Sequence, residues 1–215
     1  MIIKITKKKL QLLLLNQIKS NFQIDANEEK IIKKNFEKVL LKTEYCFSKS
    51  INKYFRNKNK TFFDPFHSDQ YSTFLYFFSN TIFKSEKKNI QLAKKIYYLN
   101  KLLNSLDLLY SVKMPKVFFI NHPVGTVIGS ATFGEYFSFS QNCTVGNNKG
   151  IYPVIGSNVQ MMSGSKILGK CKIGNNVIFS ANSYVIDTNI PSNTIVFGQY
   201  PKNVLKKNKN ILFQE

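Results

Sequence analysis

The sequence predicts two structural units of different class, an α-helical N-terminal region followed by a parallel β-helix built from hexapeptide repeats. Three observations predict it. All ten glycines of the 215 residues lie between Gly125 and Gly198, so the two halves obey different backbone rules. Before Gly125, apolar residues recur at spacings of three and four, the signature of one helix face. After it they recur every six residues, a period that neither a helix nor an ordinary strand produces.

In the first half, "MIIKITKKKLQLLLLNQIKS" pairs charge with a short apolar run. The run lacks a small-residue cleavage site and is too short to span a bilayer, so it predicts an N-terminal helix. Residues 28–55 place Ile31, Ile32, Phe36, Val39 and Leu40 on one helical face, and Tyr71, Phe74, Leu75, Phe78 and Ile82 repeat the pattern. Between them, Asp64-Pro65 in "FFDPFHSDQYST" breaks the chain, with Ser68 or Asp69 as the cap of the next helix. Residues 91–110 form a last helical pattern ending near Asp107. The expected organisation is a helical region 1–110, a β-helix 111–204 and a basic tail 205–215.

In the second half, Val127, Phe133, Phe139 and Val145 stand six apart. After a four-residue insertion the count resumes at Ile155, Met161, Ile167, Ile173, Phe179 and Val185. Four residues past these seats come Ala131, Cys143, Val159, Ser165, Cys171, Val177 and Ser183, all small, with Phe137, Lys149 and Asn189 as exceptions. Each hexad reads as a short strand plus a corner, and three hexads close a triangular coil whose apolar seats point inward. One coil cannot bury its own core; stacked coils do. The insertion "NNKGIYPV", residues 147–154, must leave the coil as a loop, and loops on a rigid scaffold commonly carry function.

Composition narrows the function classes. Cys46, Cys143 and Cys171 are an odd set without metal-type spacing, which argues against a secreted disulfide framework or a zinc site and for a reducing cytoplasm. Cys143 and Cys171 fall on corner seats and read as small hydrophobes. Formal net charge is +19, and residues 1–60 carry 15 Lys/Arg against 5 Asp/Glu. That balance admits a polyanion or a membrane surface as partner. No nucleic-acid motif accompanies the lysines, so nucleic acid is not expected. Two histidines, His67 and His122, are too few for a zinc-dependent β-helix hydratase. Any imidazole chemistry must use one of them.

The runs "HPVGTVIGSATFGEYFSFSQNCTVG", "YPVIGSNVQMMSGSKILGKCKIGNNVIFSANSYV" and "IPSNTIVFGQYP" resemble the catalytic half of bacterial serine acetyltransferases and related hexapeptide O-acetyltransferases, over residues 107–204. The resemblance implies a left-handed β-helix behind a helical domain, and three chains assembled so that acetyl-CoA binds in the groove between neighbours. The family's helical domain is acidic; here it is basic. The family's catalytic Asp and His are fifteen residues apart, as are Asp107 and His122. His122 is then the general base that takes the proton from an acceptor hydroxyl as it attacks the thioester carbonyl directly. Asp107 orients the imidazole and stabilises its cation. By the same resemblance Ser163, Gly164 and Lys166 lie nearest the pantetheine arm, Gly198 and Pro201 border the adenine end, and Lys202, Lys206 and Lys207 meet CoA phosphates.

The resemblance weakens at the acceptor. The family's Arg-His-Pro triplet, which grips a carboxylate, reads Ile151-Tyr152-Pro153 here, and the Asp before the catalytic His is Asn121. Asp69 matches an acidic acceptor-site position, and His67 and Asn121 join it with Tyr152 as candidate acceptor contacts. The expected acceptor is therefore a sugar hydroxyl of a surface glycan or its precursor, with Tyr152, Phe137 and Phe139 as stacking surfaces. Serine O-acetylation is the alternative. A noncatalytic β-helix acting as scaffold or polyanion binder is the alternative of another class.

Overall fold

A computed structural model describes residues 1–86 and 89–210. The chain divides into two compact units, residues 1–105 with 109–111 and residues 106–108 with 112–215.

In the first unit, β1 (Ile2–Ile3) precedes the helices α1 (Lys7–Asn21) and α2 (Ala26–Ser48). A 3₁₀ turn at Lys53–Phe55 leads into the hairpin β2 (Arg56–Asn57) and β3 (Lys60–Phe63), followed by α3 (Ser68–Ser85) and α4 (Ile90–Asn104). Local chemistry sets the ends. Asp25 accepts from the Glu28 N–H at 2.8 Å while the Glu28 carboxylate accepts from the Asp25 N–H at 3.2 Å, so α2 starts on a reciprocal cap. His67, rather than Ser68 or Asp69, is the cap residue of α3, and it makes no side-chain cap bond. Asp64 instead turns the chain, its Oδ1 accepting from the Phe66 N–H at 2.9 Å. The core is aromatic, with Phe74 edge-on to Phe78 at 5.6 Å and to Phe36 at 6.2 Å. Among the described residues no helix is long and apolar enough to cross a membrane.

Helix α4 stops at a left-handed Ser105, φ 52°, whose N–H returns to Lys101 O. The next three residues, β4 (Leu106–Leu108), already belong to the second unit. The expectation of a helix reaching Asp107 is corrected here: Leu106 and Leu108 are buried and Asp107 between them is not, an alternation of period two.

The second unit is a left-handed parallel β-helix of about five turns. Its strands are β5 (Phe118–Ile120), β6 (Thr126–Ile128), β7 (Thr132–Phe133), β8 (Phe137–Phe139), β9 (Thr144–Gly146) and β10 (Val154–Ile155). They continue as β11 (Gln160–Met161), β12 (Lys166–Leu168), β13 (Lys172–Ile173), β14 (Val177–Phe179), β15 (Tyr184–Ile186), β16 (Thr194–Phe197) and β17 (Val204–Lys207). They stack into three faces, β7-β10-β13, β5-β8-β11-β14-β16-β17 and β4-β6-β9-β12-β15. The registers Ile155↔Ile173, Met161↔Phe179 and Ile167↔Val185 superpose the apolar seats coil on coil. Eight of the ten seats, from Phe139 to Val185, are buried, each contributing roughly 1.5–3 kcal/mol of transfer free energy. The seven small corner residues are buried too. Burial pushes the Cys171 thiol up despite N–H bonds from Thr188 and others, which agrees with its role as a packed hydrophobe.

Two further expectations need correction. Val127 is 43% exposed, and the seat in that coil is Ile128, paired with Val145. Residues 205–207, expected in a basic tail, are most of β17, which pairs antiparallel with β16 from Thr194↔Lys207 to Phe197↔Val204 and covers an edge that a solenoid must protect. Residues 211–215 of that tail lie outside the described residues.

Candidate functional site

The outer surface of the face β4-β6-β9-β12-β15 organises the site. Registers align one outward row, Asp107↔Val127↔Thr144↔Lys166↔Tyr184, which ends on a bridge from Tyr184 to Gln199. The neighbouring row begins with Gly129 and runs through Gly146, paired with Leu168. The two glycines leave room for larger neighbours, Tyr152 lying over Gly129 and Leu168 over Gly146. At the far end of this face Lys166, Leu168, Asn182, Tyr184 and Gln199 line a cavity of about 440 Å³.

His122 stands at the corner that leads into this face. The corresponding corners below it are tight, with Asn142 (φ 57°), Gly164 (φ 74°) and Asn182 (φ 59°) each left-handed. Their N–H groups climb a ladder to Val124 O, Gln141 O and Ser163 O. The corner from Ile120 to Ile128 is two residues longer than that from Phe139 to Val145. It turns on Pro123 O accepting from the Thr126 N–H at 3.1 Å, with Gly125 at φ 71°. On this longer corner His122 is exposed and, like the residues that turn the tight corners, left-handed, φ 51°. The corner delivers the chain to Thr126, the register partner of Leu106, one residue from Asp107. The half-buried Asp107 and the exposed His122 thus lie at the same end of this face.

The projecting loop is pinned at three points. Asn148 and Ile151 exchange backbone bonds of 3.0 Å, closing it as a hairpin. The Tyr152 ring lies on Gly129, where a Cβ would meet Tyr152 Cε1 at 2.7 Å, and its hydroxyl accepts from Asn147 Nδ2 at 3.2 Å. Asp187 ties the loop to the next coil: Oδ1 accepts from the Lys170 N–H at 2.7 Å and Oδ2 from Asn148 Nδ2 at 2.6 Å. These two bonds, the Lys170 N–H first, hold its carboxyl below the usual aspartate range. Sequence reasoning missed Asp187. Its signal was an aspartate at a left-handed corner, φ 48°, directly above Gly169.

The other expected site residues fall as follows. Asn121 donates its N–H to Phe139 O at 2.9 Å and precedes His122 on the same corner. Lys166 reaches back to Gly164 O at 3.0 Å, and the Gly164 N–H is committed to Gln141 O, so at this corner the Lys166 ammonium, with the Ser163 hydroxyl, is the group open to a ligand. Gly198 (φ 71°), Pro201 and Lys202 form the turn between β16 and β17, anchored by Asn203 Nδ2 on Gly198 O at 3.0 Å and Tyr184 O at 3.1 Å. Lys202, Lys206 and Lys207 are exposed. Asp69 and His67 belong to the helical unit. Asp69 is buried in the first turn of α3 and accepts from Ser68 Oγ at 3.3 Å. His67 packs its ring 5.6 Å from Tyr54, and its buried Nδ1 has no hydrogen-bond partner among the described residues. Phe137 and Phe139 are corrected as stacking surfaces: both are 0% exposed, inside the coil.

Residues 152–187 match the family model for the bacterial transferase hexapeptide, six repeats. The serine acetyltransferase of Staphylococcus epidermidis is 38% identical over 120 residues, covering 54% of this chain and 55% of that protein. The chain thus matches about half the length of that curated relative. Among solved structures, the serine acetyltransferase of Vibrio cholerae aligns at TM-score 0.72 and 18% identity, covering 95% of this chain and 81% of its own. A serine acetyltransferase in complex with CoA aligns at TM-score 0.68 and 15% identity, covering 93% and 84%. Sequence and fold are serine acetyltransferase-like.

Proposed function

We propose that this serine acetyltransferase-like chain is an acetyl-CoA-dependent O-acetyltransferase in which His122 is the general base and Asp107 its orienting carboxylate. The observation that carries the proposal is the enlarged corner that exposes His122 at the Asp107 end of an outward row whose other end lines a cavity with Lys166. An alcohol is a poor nucleophile at neutral pH, and an imidazole within hydrogen-bond reach of its proton supplies the missing activation. Thioester fit is supported by the far end of this face, with Lys166 in the cavity and Lys202 and Lys206 beyond it for phosphate oxygens. Both thiols of the β-helix, Cys143 and Cys171, are buried, which supports direct transfer to the acceptor over a cysteine thioester intermediate.

For the acceptor we propose L-serine, the reading that the names of the relatives support better than the sugar expected from Ile151-Tyr152-Pro153. Two of the three aromatic surfaces invoked for a sugar are buried in the core. A sugar acceptor keeps one supporting observation, the exposed Tyr152 in a loop without a guanidinium. Three copies around a common axis, so that the outward row with Val127 faces a neighbour, complete the proposal.

CoA-thiol release measured with acetyl-CoA against L-serine and a panel of sugars tests it. Release that requires L-serine is expected. Release only with a sugar overturns the acceptor, and no hydroxyl-dependent release overturns the enzyme. Asp107→Asn should lower the rate about 10²-fold, the lower end of what a positioned base contributes, while leaving KM for acetyl-CoA in place, since the imidazole loses its orientation and counter-charge.

The loop gives a separable expectation. Asp187→Ala frees Asn148 and should raise the acceptor KM by about tenfold with little change in KM for acetyl-CoA, because ordering the loop then falls to acceptor binding. The pH sign follows from the lowered carboxyl. The latch holds above the ordinary aspartate value and is lost only as pH falls through the lowered one. An acceptor KM flat from pH 6 to 8 (roughly the working range of a histidine base) is expected.

A further inference from the structure

We propose that one end of the helical unit, comprising the 3₁₀ turn, the β2-β3 hairpin and the turn before α3, docks on an anionic bilayer surface. This inference is independent of acetyl transfer. Four large side chains project there: Ile51 at 70% exposure, Phe66 at 67%, Tyr54 at 56% and Tyr45 at 49%. Each exposed ring carries an ammonium, with Lys4 5.9 Å from the Phe66 centroid, Lys53 5.4 Å from Tyr54 and Lys49 5.9 Å from Tyr45. Contacts join them into one patch. Tyr54 packs on His67 beside Phe66, Gln70 Nε2 donates to Tyr54 O at 2.8 Å, and β1 lies along β3 just before Lys4.

The charge of this patch is one-sided. Its carboxylates, Glu44 and Asp64, are paired with the N-terminal ammonium and with Lys4, whereas Lys49, Lys53, Lys58 and Lys60 are exposed and take part in no ion pair among those of the described residues. A second copy of this chain would set lysine against lysine, so an anionic occupant is required.

Between a bilayer and a nucleic acid, two features favour the bilayer. Arg56, the one guanidinium of the chain, has its Nη2 engaged by Ser48 O at 2.8 Å and Ser50 O at 3.5 Å, so the patch offers no unengaged fork of the kind that reads phosphate and guanine. The remaining cations are point charges suited to a diffuse anionic surface. Ile51 and Phe66 are apolar side chains of the kind that enter the headgroup layer.

Co-sedimentation with vesicles of phosphatidylglycerol and phosphatidylcholine in equal parts, against phosphatidylcholine alone, tests the proposal. Partition to the first and not the second is expected. Lys53→Gln, Lys58→Gln and Lys60→Gln together should weaken it about a hundredfold, and Ile51→Ser with Phe66→Ser about tenfold. Both variants should keep the thermal transition and any thiol release of the parent, since all five side chains are on the surface or at its edge. No partition, equal partition to both vesicles, retention on single-stranded nucleic acid in place of vesicles, or a variant of smaller assembled mass than the parent would each overturn it, the last by assigning the patch to a second copy.

Discussion

His122→Asn lowers acetyl transfer by about 10²–10⁴-fold, the usual worth of a positioned general base, and leaves the thermal transition of the β-helix where it was. Asparagine is the informative replacement because of the backbone. His122 sits at φ 51°, and five other corners of this solenoid, at Asn142, Asn158, Asn176, Asn182 and Asn193, already hold asparagine at φ between 56° and 59°. Asparagine tolerates that conformation better than alanine does. A loss of rate in the alanine variant would mix a missing proton acceptor with a strained corner; in the asparagine variant it reports the imidazole alone. The measurement is thiol release with acetyl-CoA and L-serine, in parallel with thermal unfolding. An unchanged rate removes His122 from the chemistry. It would then favour a noncatalytic solenoid. A lost rate with a lowered transition assigns His122 to the corner's structure instead.

Much of the solenoid was legible because its period is a direct imprint of coil stacking: one seat and one corner per hexad, repeated until the edge is covered. It became illegible where polar groups face inward legitimately. Thr126 is 0% exposed, its hydroxyl donating to Ser140 O at 2.9 Å and accepting from the Cys143 N–H at 3.3 Å. A satisfied hydroxyl can occupy an interior position, so hydropathy alone set the first seat at Val127, one residue early. Phe137 shows the converse. It is 0% exposed at a corner where small residues are usual, packed 4.8 Å from Phe133 and 5.8 Å from Phe139, and no pattern of period six distinguishes such a side chain from a surface ring. Asp107 was named from its separation to His122, but its place on a strand was hidden by the leucines of "NKLLNSLDLLY", which satisfy both periods. The corner that exposes His122 is longer by two residues, and insertions of that size carry no hydropathic signal.

Gly156→Ala is expected to lower the stability of the β-helix by about 3 kcal/mol, the upper end for adding a methyl to a packed interior, and to lower its melting temperature by roughly 6–12 °C. Gly134, Gly156 and Gly174 each follow a seat and stack in one column. None has a positive φ, so the usual account of glycine as a left-handed residue does not apply to them. Space does. A Cβ on Gly156 would lie 2.4 Å from Asn175 Oδ1 and 2.8 Å from the carbonyl carbon and oxygen of Gly174, and one on Gly134 would lie 2.5 Å from the Gly156 carbonyl carbon. Those neighbours are mostly backbone held by ladder bonds, such as Gly156 N–H to Ile173 O at 2.9 Å, so they cannot rotate aside as a side chain would. The coils must separate, and every register below the substitution is strained. Gly150→Ala is the control. Nothing lies within 4 Å of its would-be Cβ, but its φ is 80°, so it should cost only about 1 kcal/mol of conformational penalty. Thermal unfolding of the two variants followed by circular dichroism separates close approach from backbone conformation. Equal losses would mean that the column's glycines are not there to let the coils meet.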